Sequence, residues 1–357
     1  MLKIYLRCII VGLATIFSII ITYLLKLDYS FFSVVTVIVL LQLFVESLYI
    51  KALERTLGSA LAFVVMYAVL TYLSANLAIT IIIGVILTFI FLYFFLKDVY
   101  SYGSLFFGLT AAFMIIVDVI NTPDAAIKLG YSWVFNVIIG AFTSILFLEF
   151  IRFGLGRYKA FLPHRRKQIK PPYVDWVDFR KFDLHAFIKA WVVIITIALV
   201  IVINYYLGWQ NISLQAMIAI MVVMIQPELK KSGSRALHRI SGVVLGSLIG
   251  LGFVQILHLY PHQWLAYVFV VIGVVVFTYL AAMNRKVDYI FLQAAVMIPL
   301  ILMPLYFAKE NTFNPGFATE RSLGSLEGGF FAFIIITIFH LIRNASKRKV
   351  IKKQATS

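Results

Sequence analysis

Three arginines in the sequence are each followed by small residues at helical spacing. Arg55, Arg239 and Arg321 each precede one small residue by three positions and another by seven. In an α-helix these offsets share one face, so each guanidinium would lie beside a groove of small residues. A guanidinium is always charged and donates hydrogen bonds in a planar fork, which suits it to binding anions. The small residues are Gly58 and Ala62, Gly242 and Gly246, and Gly324 and Gly328.

The stretch around Arg239 repeats an earlier part of the chain. Six residues between positions 42 and 62 recur unchanged when the sequence is shifted by 184 positions. The recurrence predicts two copies of one unit in which Arg55 and Arg239 are equivalent. Gln42 and Gln226 are also equivalent, and each ends a short apolar segment. We therefore expect the two arginines to bind an anionic substrate and the two glutamine amides to orient it, although the glutamines could instead cap helix ends.

Composition identifies an integral membrane protein. Hydrophobic residues make up 62% of the chain and charged residues 13%, whereas soluble domains carry roughly half and a quarter. A net charge of +16 would suggest a nucleic-acid partner for a soluble protein, but in this chain it follows membrane topology, so no nucleic acid is expected. The single cysteine, Cys8, lies in an apolar run. Neither a cofactor nor a metal site is expected.

The apolar runs predict an all-α, polytopic fold, because a spanning helix needs about 17–25 mostly apolar residues. Nothing in the sequence alternates as the strands of a membrane barrel would. About twelve transmembrane helices are predicted, at residues 8–25, 29–45, 57–74, 78–96, 100–119, 130–151, 186–206, 212–226, 241–259, 264–282, 289–307 and 322–342.

Charge placement predicts the orientation and the domains. Positive residues favour the cytoplasmic side of a membrane, which places both termini in the cytoplasm. Six-helix repeats over 1–151 and 186–345 flank a basic cytoplasmic linker at 152–185, and a basic tail follows at 346–357. Because six is even, the repeats are expected to be parallel, a known plan of transporters. The basic residues left on the outer side are Lys26, Lys128, Lys309 and Arg321.

The predicted helix boundaries place Arg55 and Arg239 at the starts of two helices. Helix N-termini attract anions through free N–H groups and the helix dipole. The alternative is that both arginines extend to the lipid headgroups and only set topology. The glycines of the arginine motifs, Gly58, Gly242, Gly246, Gly324 and Gly328, are predicted to pack helices closely, as small residues do in lipid.

Glu327 is the deepest acidic residue of the predicted spans. A carboxyl group in this position is costly and is therefore a functional candidate, here for carrying a proton. The alternative is a structural pair with Arg321 or with a group on a neighbouring helix.

The repeated motif resembles the fusaric acid resistance and aromatic acid exporter family of inner-membrane proteins. The resemblance rests on Arg55-Thr-Leu-Gly58 after Gln42, and on Arg239-Ile-Ser-Gly242 after Gln226-Pro227. It implies an inner-membrane efflux protein that exports organic, especially aromatic, carboxylates with proton coupling. Many members carry a large domain between the halves, which the linker at 152–185 replaces, and Leu43 stands where the second half has Pro227.

Two other functions remain open at this point. The same arginines could form the selectivity ring of a passive anion channel that is built as a homodimer. Alternatively, the basic linker could recruit a partner or anionic lipid to a scaffold that does not transport. A membrane enzyme is the least expected class, because no catalytic set of residues converges in the sequence.

Overall fold

The computed structural model describes residues 2–41, 47–73, 76–97, 101–155, 182–224, 229–284, 286–306 and 316–355. Within these ranges the regular structure is helical, which confirms the all-α prediction. Two short 3₁₀ turns, Gln210–Ile212 and Met303–Tyr306, accompany the α-helices. The first half contains α1 Leu2–Leu24, α2 Phe31–Leu41, α3 Ser47–Leu73, α4 Leu77–Leu96, α5 Ser101–Ile120 and α6 Pro123–Leu155. The second contains α7 Leu184–Leu207, α8 Ser213–Met224, α9 Leu229–Leu259, α10 Gln263–Met283, α11 Asp288–Leu302 and α12 Gly316–Ala355.

Helix length separates two helices from the others in the described part of the chain. Ten helices are long and apolar enough to cross a membrane, which confirms a multi-pass membrane protein. α2 has 11 residues and α8 has 12. At 1.5 Å per residue they reach only about 16–18 Å, against a hydrocarbon core of about 30 Å. Both follow the first helix of their half, so the short segments occupy matching places.

The two halves share a pattern of helix packing. α3 packs against α5 and α6, and α9 packs in the same way against α11 and α12. α2 lies on α6 as α8 lies on α12. Between the halves, α1 contacts α10 and α4 contacts α7. In both contacts the first helix of one half meets the fourth helix of the other half. Such an exchange is what a twofold relation would produce, while the parallel arrangement of two repeats stays a prediction.

Close approaches between helices occur at the glycines of the arginine motifs. A Cβ atom added to Gly58 would meet the backbone oxygen of Gly103, and one added to Gly242 would meet that of Ile290. At Gly246 the added atom would lie 2.8 Å from the Cα of Ala294. The backbones therefore touch at these points, leaving no room for a side chain. Gly324 and Gly328 bring α12 equally close to α8, at the backbone oxygens of Ile212 and Ala216.

Two glycines of α9 provide a matched test of this packing. Gly242→Ala forces a methyl group against the Ile290 carbonyl and should destabilise the protein by about 1–3 kcal/mol, the usual cost of overpacking. At Gly252 an added Cβ meets nothing within 4 Å, so Gly252→Ala should cause no loss of stability. Thermal unfolding of both variants in one detergent checks this. Equal melting temperatures for the two variants would contradict the observed contact.

Candidate functional site

Arg55 and Arg239 lie inside their helices rather than at the helix ends. α3 begins at Ser47 and α9 at Leu229, so each arginine is at least two turns beyond the helix start. Only the first four N–H groups of a helix are free, and the dipole effect fades within the first turn. The predicted placement of Arg55 and Arg239 at helix N-termini is therefore wrong, while their role in binding an anion stays a prediction. Gln42 and Gln226 lie outside the described residues.

Arg55 is buried against α5. Its side chain is 4% exposed, and its guanidinium carbon lies 4.1 Å from the centre of the Phe106 ring. One turn earlier, the Lys51 ammonium lies 5.9 Å from the centre of the Tyr102 ring. Both cations thus rest on aromatic faces, a favourable arrangement. The Nε atom of Arg55 is buried and has no hydrogen-bond partner among the described residues.

Arg239 occupies the equivalent place between α9 and α11. It is 6% exposed, and its Nη1 donates a 2.8 Å hydrogen bond to Oε1 of Gln293. One turn earlier, the Arg235 guanidinium carbon lies 4.4 Å from the centre of the Tyr289 ring. Both halves thus stack two cations one turn apart along a helix. The two inner cations differ in their contacts: Arg55 stacks on the apolar ring of Phe106 and interacts with Tyr102, whereas Arg239 donates to the polar Gln293.

The inner arginines have no acidic partner in the described part of the chain. One ion pair within 4.0 Å in that part joins Lys128 to Asp28 at 3.1 Å, and both side chains are substantially exposed. Burying a charge without a counter-charge is expensive. Arg55 and Arg239 therefore form a pair of electropositive positions whose charge an anionic ligand could balance.

Glu327 lies on α12 and contacts α7. Its Oε2 accepts a 3.0 Å hydrogen bond from Nδ2 of Asn204, a fully buried residue. No ion pair with Arg321 is formed, so of the two structural alternatives, a partner on a neighbouring helix is the one observed. An added Cβ at Gly329 would lie 3.0 Å from a side-chain carbon of Ile240. Glu327 is two residues from Gly329 and Arg239 is next to Ile240, so the two charged residues lie at nearly the same depth in the membrane.

Three groups near these residues were missed in the sequence. Asn204 and Gln293 come from helices distant along the chain, and no local pattern marks them. Arg321 belongs to the third arginine motif and was considered as a packing residue and as a possible partner of Glu327, but not as a binding residue. Its guanidinium carbon lies 4.9 Å from the centre of the Phe31 ring of α2. The described residues include no group of three metal-binding side chains.

The contact between Asn204 and Glu327 can be measured by a double-mutant cycle. Side-chain hydrogen bonds between membrane helices contribute about 0.6 kcal/mol on average and up to about 1.7. We expect Asn204→Val, Glu327→Leu and the double variant to give a coupling free energy in this range. Unfolding in mixed micelles by SDS titration is the measurement. Strictly additive losses of stability would show that the two side chains do not interact.

Comparison with known proteins supports the membrane assignment. A family model described as fusaric acid resistance protein-like matches residues 16–147 and 197–335, which include both halves and both inner arginines. No curated protein and no solved structure matches the chain. Since the matched residues cover most of the sequence, the chain belongs to the fusaric acid resistance protein-like family, whose function is in membrane transport and resistance.

Proposed function

We propose that the protein is a secondary transporter that exports organic carboxylates, aromatic ones among them, in exchange for protons. The observation that carries the proposal is the pair of buried arginines, Arg55 and Arg239, which have no acidic partner among the described residues and occupy equivalent places in the two halves. A structural role alone would be served better by apolar residues, since a buried charge adds cost without adding packing.

The surroundings of the arginines fit an organic anion. Each guanidinium keeps a buried Nε without a hydrogen-bond partner in the described ranges. The ring of Phe106 lies beside Arg55, so charge and apolar surface are adjacent, as an aromatic carboxylate requires. Gln293 can hold the Arg239 fork in place through its amide oxygen. In this proposal Gln42 and Gln226, which follow α2 and α8 in the sequence, orient the carboxylate.

Glu327 is proposed as the proton carrier. It is half-buried and held by a single neutral donor, Asn204, so its carboxyl group is not committed to an ion pair. It alternately takes up and releases the proton whose inward movement drives the anion outward. The halves would rock against each other at the α1–α10 and α4–α7 contacts, in the manner of transporters built from repeats.

The protein is proposed to lie in the inner membrane with both termini in the cytoplasm. On this orientation the long helices α3 and α9 carry their arginines into the membrane from the cytoplasmic side. An anion would therefore meet Lys51 and Arg235 first and the inner arginines second.

Uptake of labelled benzoate into everted membrane vesicles with an acidic lumen tests the transport proposal. Neutral benzoic acid diffuses through lipid and collects in the more alkaline compartment, so accumulation in an acidic lumen requires transport. We expect Arg55→Gln/Arg239→Gln to slow uptake at least about tenfold, because a hydrogen bond to a charged group contributes about 1.5–3 kcal/mol. Lys286→Gln, which removes a charge from an exposed position, should leave uptake unchanged.

The results of this assay separate the possible functions. Rapid equilibration without accumulation would favour a channel over a carrier. No protein-dependent flux of benzoate in vesicles that contain folded protein would count against the proposed substrate class. Wild-type rates in the double arginine variant would show that these residues only set topology.

Proton coupling is tested by Glu327→Gln in the same vesicles. The glutamine can still accept the hydrogen bond from Asn204 but cannot bind a proton at this position. We expect gradient-driven accumulation to be lost, while exchange of labelled for unlabelled benzoate continues. Asp124→Asn, at an exposed position in the first turn of α6, should behave as wild type. Undiminished accumulation by Glu327→Gln would remove this residue from the coupling mechanism.

A further inference from the structure

A second group of buried donors lies between α8 and α12. Nη1 of Arg321, Nε2 of Gln215 and Oγ of Ser325 are all buried and have no hydrogen-bond partner among the described residues. The side chains of Gln215 and Ser325 are 2% and 1% exposed. We call these three residues the α8–α12 donor cluster. A buried donor that is left unpaired destabilises the fold, so the cluster requires an explanation.

Packing brings the cluster together. An added Cβ at Gly324 would lie 2.9 Å from the Cβ of Gln215. Arg321 stands one turn before Gly324, and Ser325 directly follows it. Arg321 and Ser325 are four residues apart and therefore share one side of α12. The three side chains therefore surround one close contact of α8 with α12.

Ordinary hydrogen bonding within a membrane helix does not account for the cluster. Ser322, on the same helix, donates to the Ala318 carbonyl at 2.9 Å, and Thr278 of α10 donates to the Val274 carbonyl at 2.6 Å. This bond to the preceding turn is the usual solution for a hydroxyl group in lipid. Ser325 does not make it. Its hydroxyl is left without a hydrogen-bond partner among the described residues.

The equivalent place in the first half is filled by aromatic rings. Gly140 meets the Ser33 backbone oxygen of α2 at 2.6 Å, just as Gly328 meets that of Ala216 on α8. When the halves are aligned on these two contacts, Trp133 is the residue equivalent to Arg321, and Phe32 is the residue equivalent to Gln215. Their ring centres are 4.4 Å apart. Aromatic packing is thus sufficient at this joint, and the charged version in the second half serves another purpose.

The chemistry of the cluster selects an anion. Arginine and the amide nitrogen can only donate hydrogen bonds, and the serine hydroxyl can donate as well. No ion pair joins Arg321 to an acidic side chain within 4.0 Å in the described part of the chain, although the charge of the adjacent Glu320 also acts on its guanidinium. The Phe31 ring covers the guanidinium, which leaves its N–H edge for a carboxylate.

The cluster is separate from the inner arginines. Gly329 of α12 lies at the level of Ile240, next to Arg239. Arg321 precedes Gly329 by eight residues, or roughly 12 Å along the helix. On the predicted orientation this displacement is toward the outer side.

We propose that Gln215, Arg321 and Ser325 form a second carboxylate-binding site, roughly 12 Å nearer the outer side than Arg239. It takes a small carboxylate with an apolar body, which would lie against Phe31. The order of events rests on the proposed export function: the anion leaves the inner arginines and is held at this cluster before release. Binding at the cluster does not depend on transport and can be tested separately.

Equilibrium binding of labelled benzoate to the full chain in lipid nanodiscs tests the second site. The Arg55→Gln/Arg239→Gln background removes the inner site from the measurement. In this background we expect saturable binding that Arg321→Gln weakens at least about tenfold, the loss of one charged hydrogen bond. Arg321→Lys should retain part of the affinity, because it keeps the charge but not the fork. Neutral benzamide should not compete.

Two serines of α12 give the matched control. Ser325→Ala removes a free donor and should weaken benzoate binding several-fold, whereas Ser322→Ala removes a hydroxyl that is already bonded and should not. Gln215→Leu deletes the amide donor at similar volume and replaces the arginine test if Arg321→Gln does not fold, as judged by helicity and monodispersity.

The possible results decide the proposal. Absence of saturable benzoate binding in the background variant would overturn it, and so would unchanged affinity in folded Arg321→Gln or, should that variant not fold, in Gln215→Leu. Equal effects of Ser322→Ala and Ser325→Ala would also overturn it, since they would indicate a packing defect. Arg321-dependent binding without vesicle transport would uphold the site while refuting the exporter.

Discussion

Burial of permanent positive charge in a hydrocarbon environment is the constraint on which this structure depends. A guanidinium in lipid must reach water, rest on an aromatic ring or bind an acceptor. Arg55 and Arg321 rest on Phe106 and Phe31, and Arg239 donates to Gln293. These contacts lower the cost of burial, and in the described part of the chain no ion pair joins any of the three guanidinium groups to an acidic side chain. Buried positive charge thus lies at separate positions along the packed helices.

Close packing allows these charges to be buried at all. Glycines one turn beyond each arginine bring the helix backbones into contact, so that the long basic side chains are covered by protein rather than lipid. In a bilayer, association of helices depends on such contacts, because the lipid tails are as apolar as the side chains. The arginine and its glycines thus act as one unit. The glycines allow the two helix backbones to pack closely, and the packed helices enclose the guanidinium.

Much of the fold could be predicted from the sequence, because hydropathy reports the membrane directly. The places of the twelve described α-helices follow from the apolar runs, although ten rather than twelve of them are long enough to span the membrane, because α2 and α8 are short. Helix ends do not, since hydropathy marks where lipid ends and a helix can continue into water. For that reason α3 and α9 begin well before the predicted spans, and the expected position of Arg55 and Arg239 at helix starts was wrong. The roles of these residues stay predictions.

The surroundings of the charges were harder to predict than their positions. Asn204 meets Glu327 across 123 positions of sequence, and no periodicity within either helix indicates that contact. Comparison of the halves was similarly incomplete. The repeat identifies Arg239 from Arg55, but only the packing reveals that Phe106 corresponds to Gln293 and that Trp133 corresponds to Arg321. The two halves therefore carry different residue types at these equivalent positions.

The exchanged contacts between the halves have a consequence for ancestry. α1 meets α10 and α4 meets α7, so each half carries both complementary edges of the joint. A single six-helix chain with these edges can pair with a second copy of itself through two identical interfaces, as closed twofold dimers do. Gene duplication and fusion of such a dimer would preserve the joint while freeing one copy to change. The charged α8–α12 joint and its aromatic counterpart are the divergence that this freedom permits.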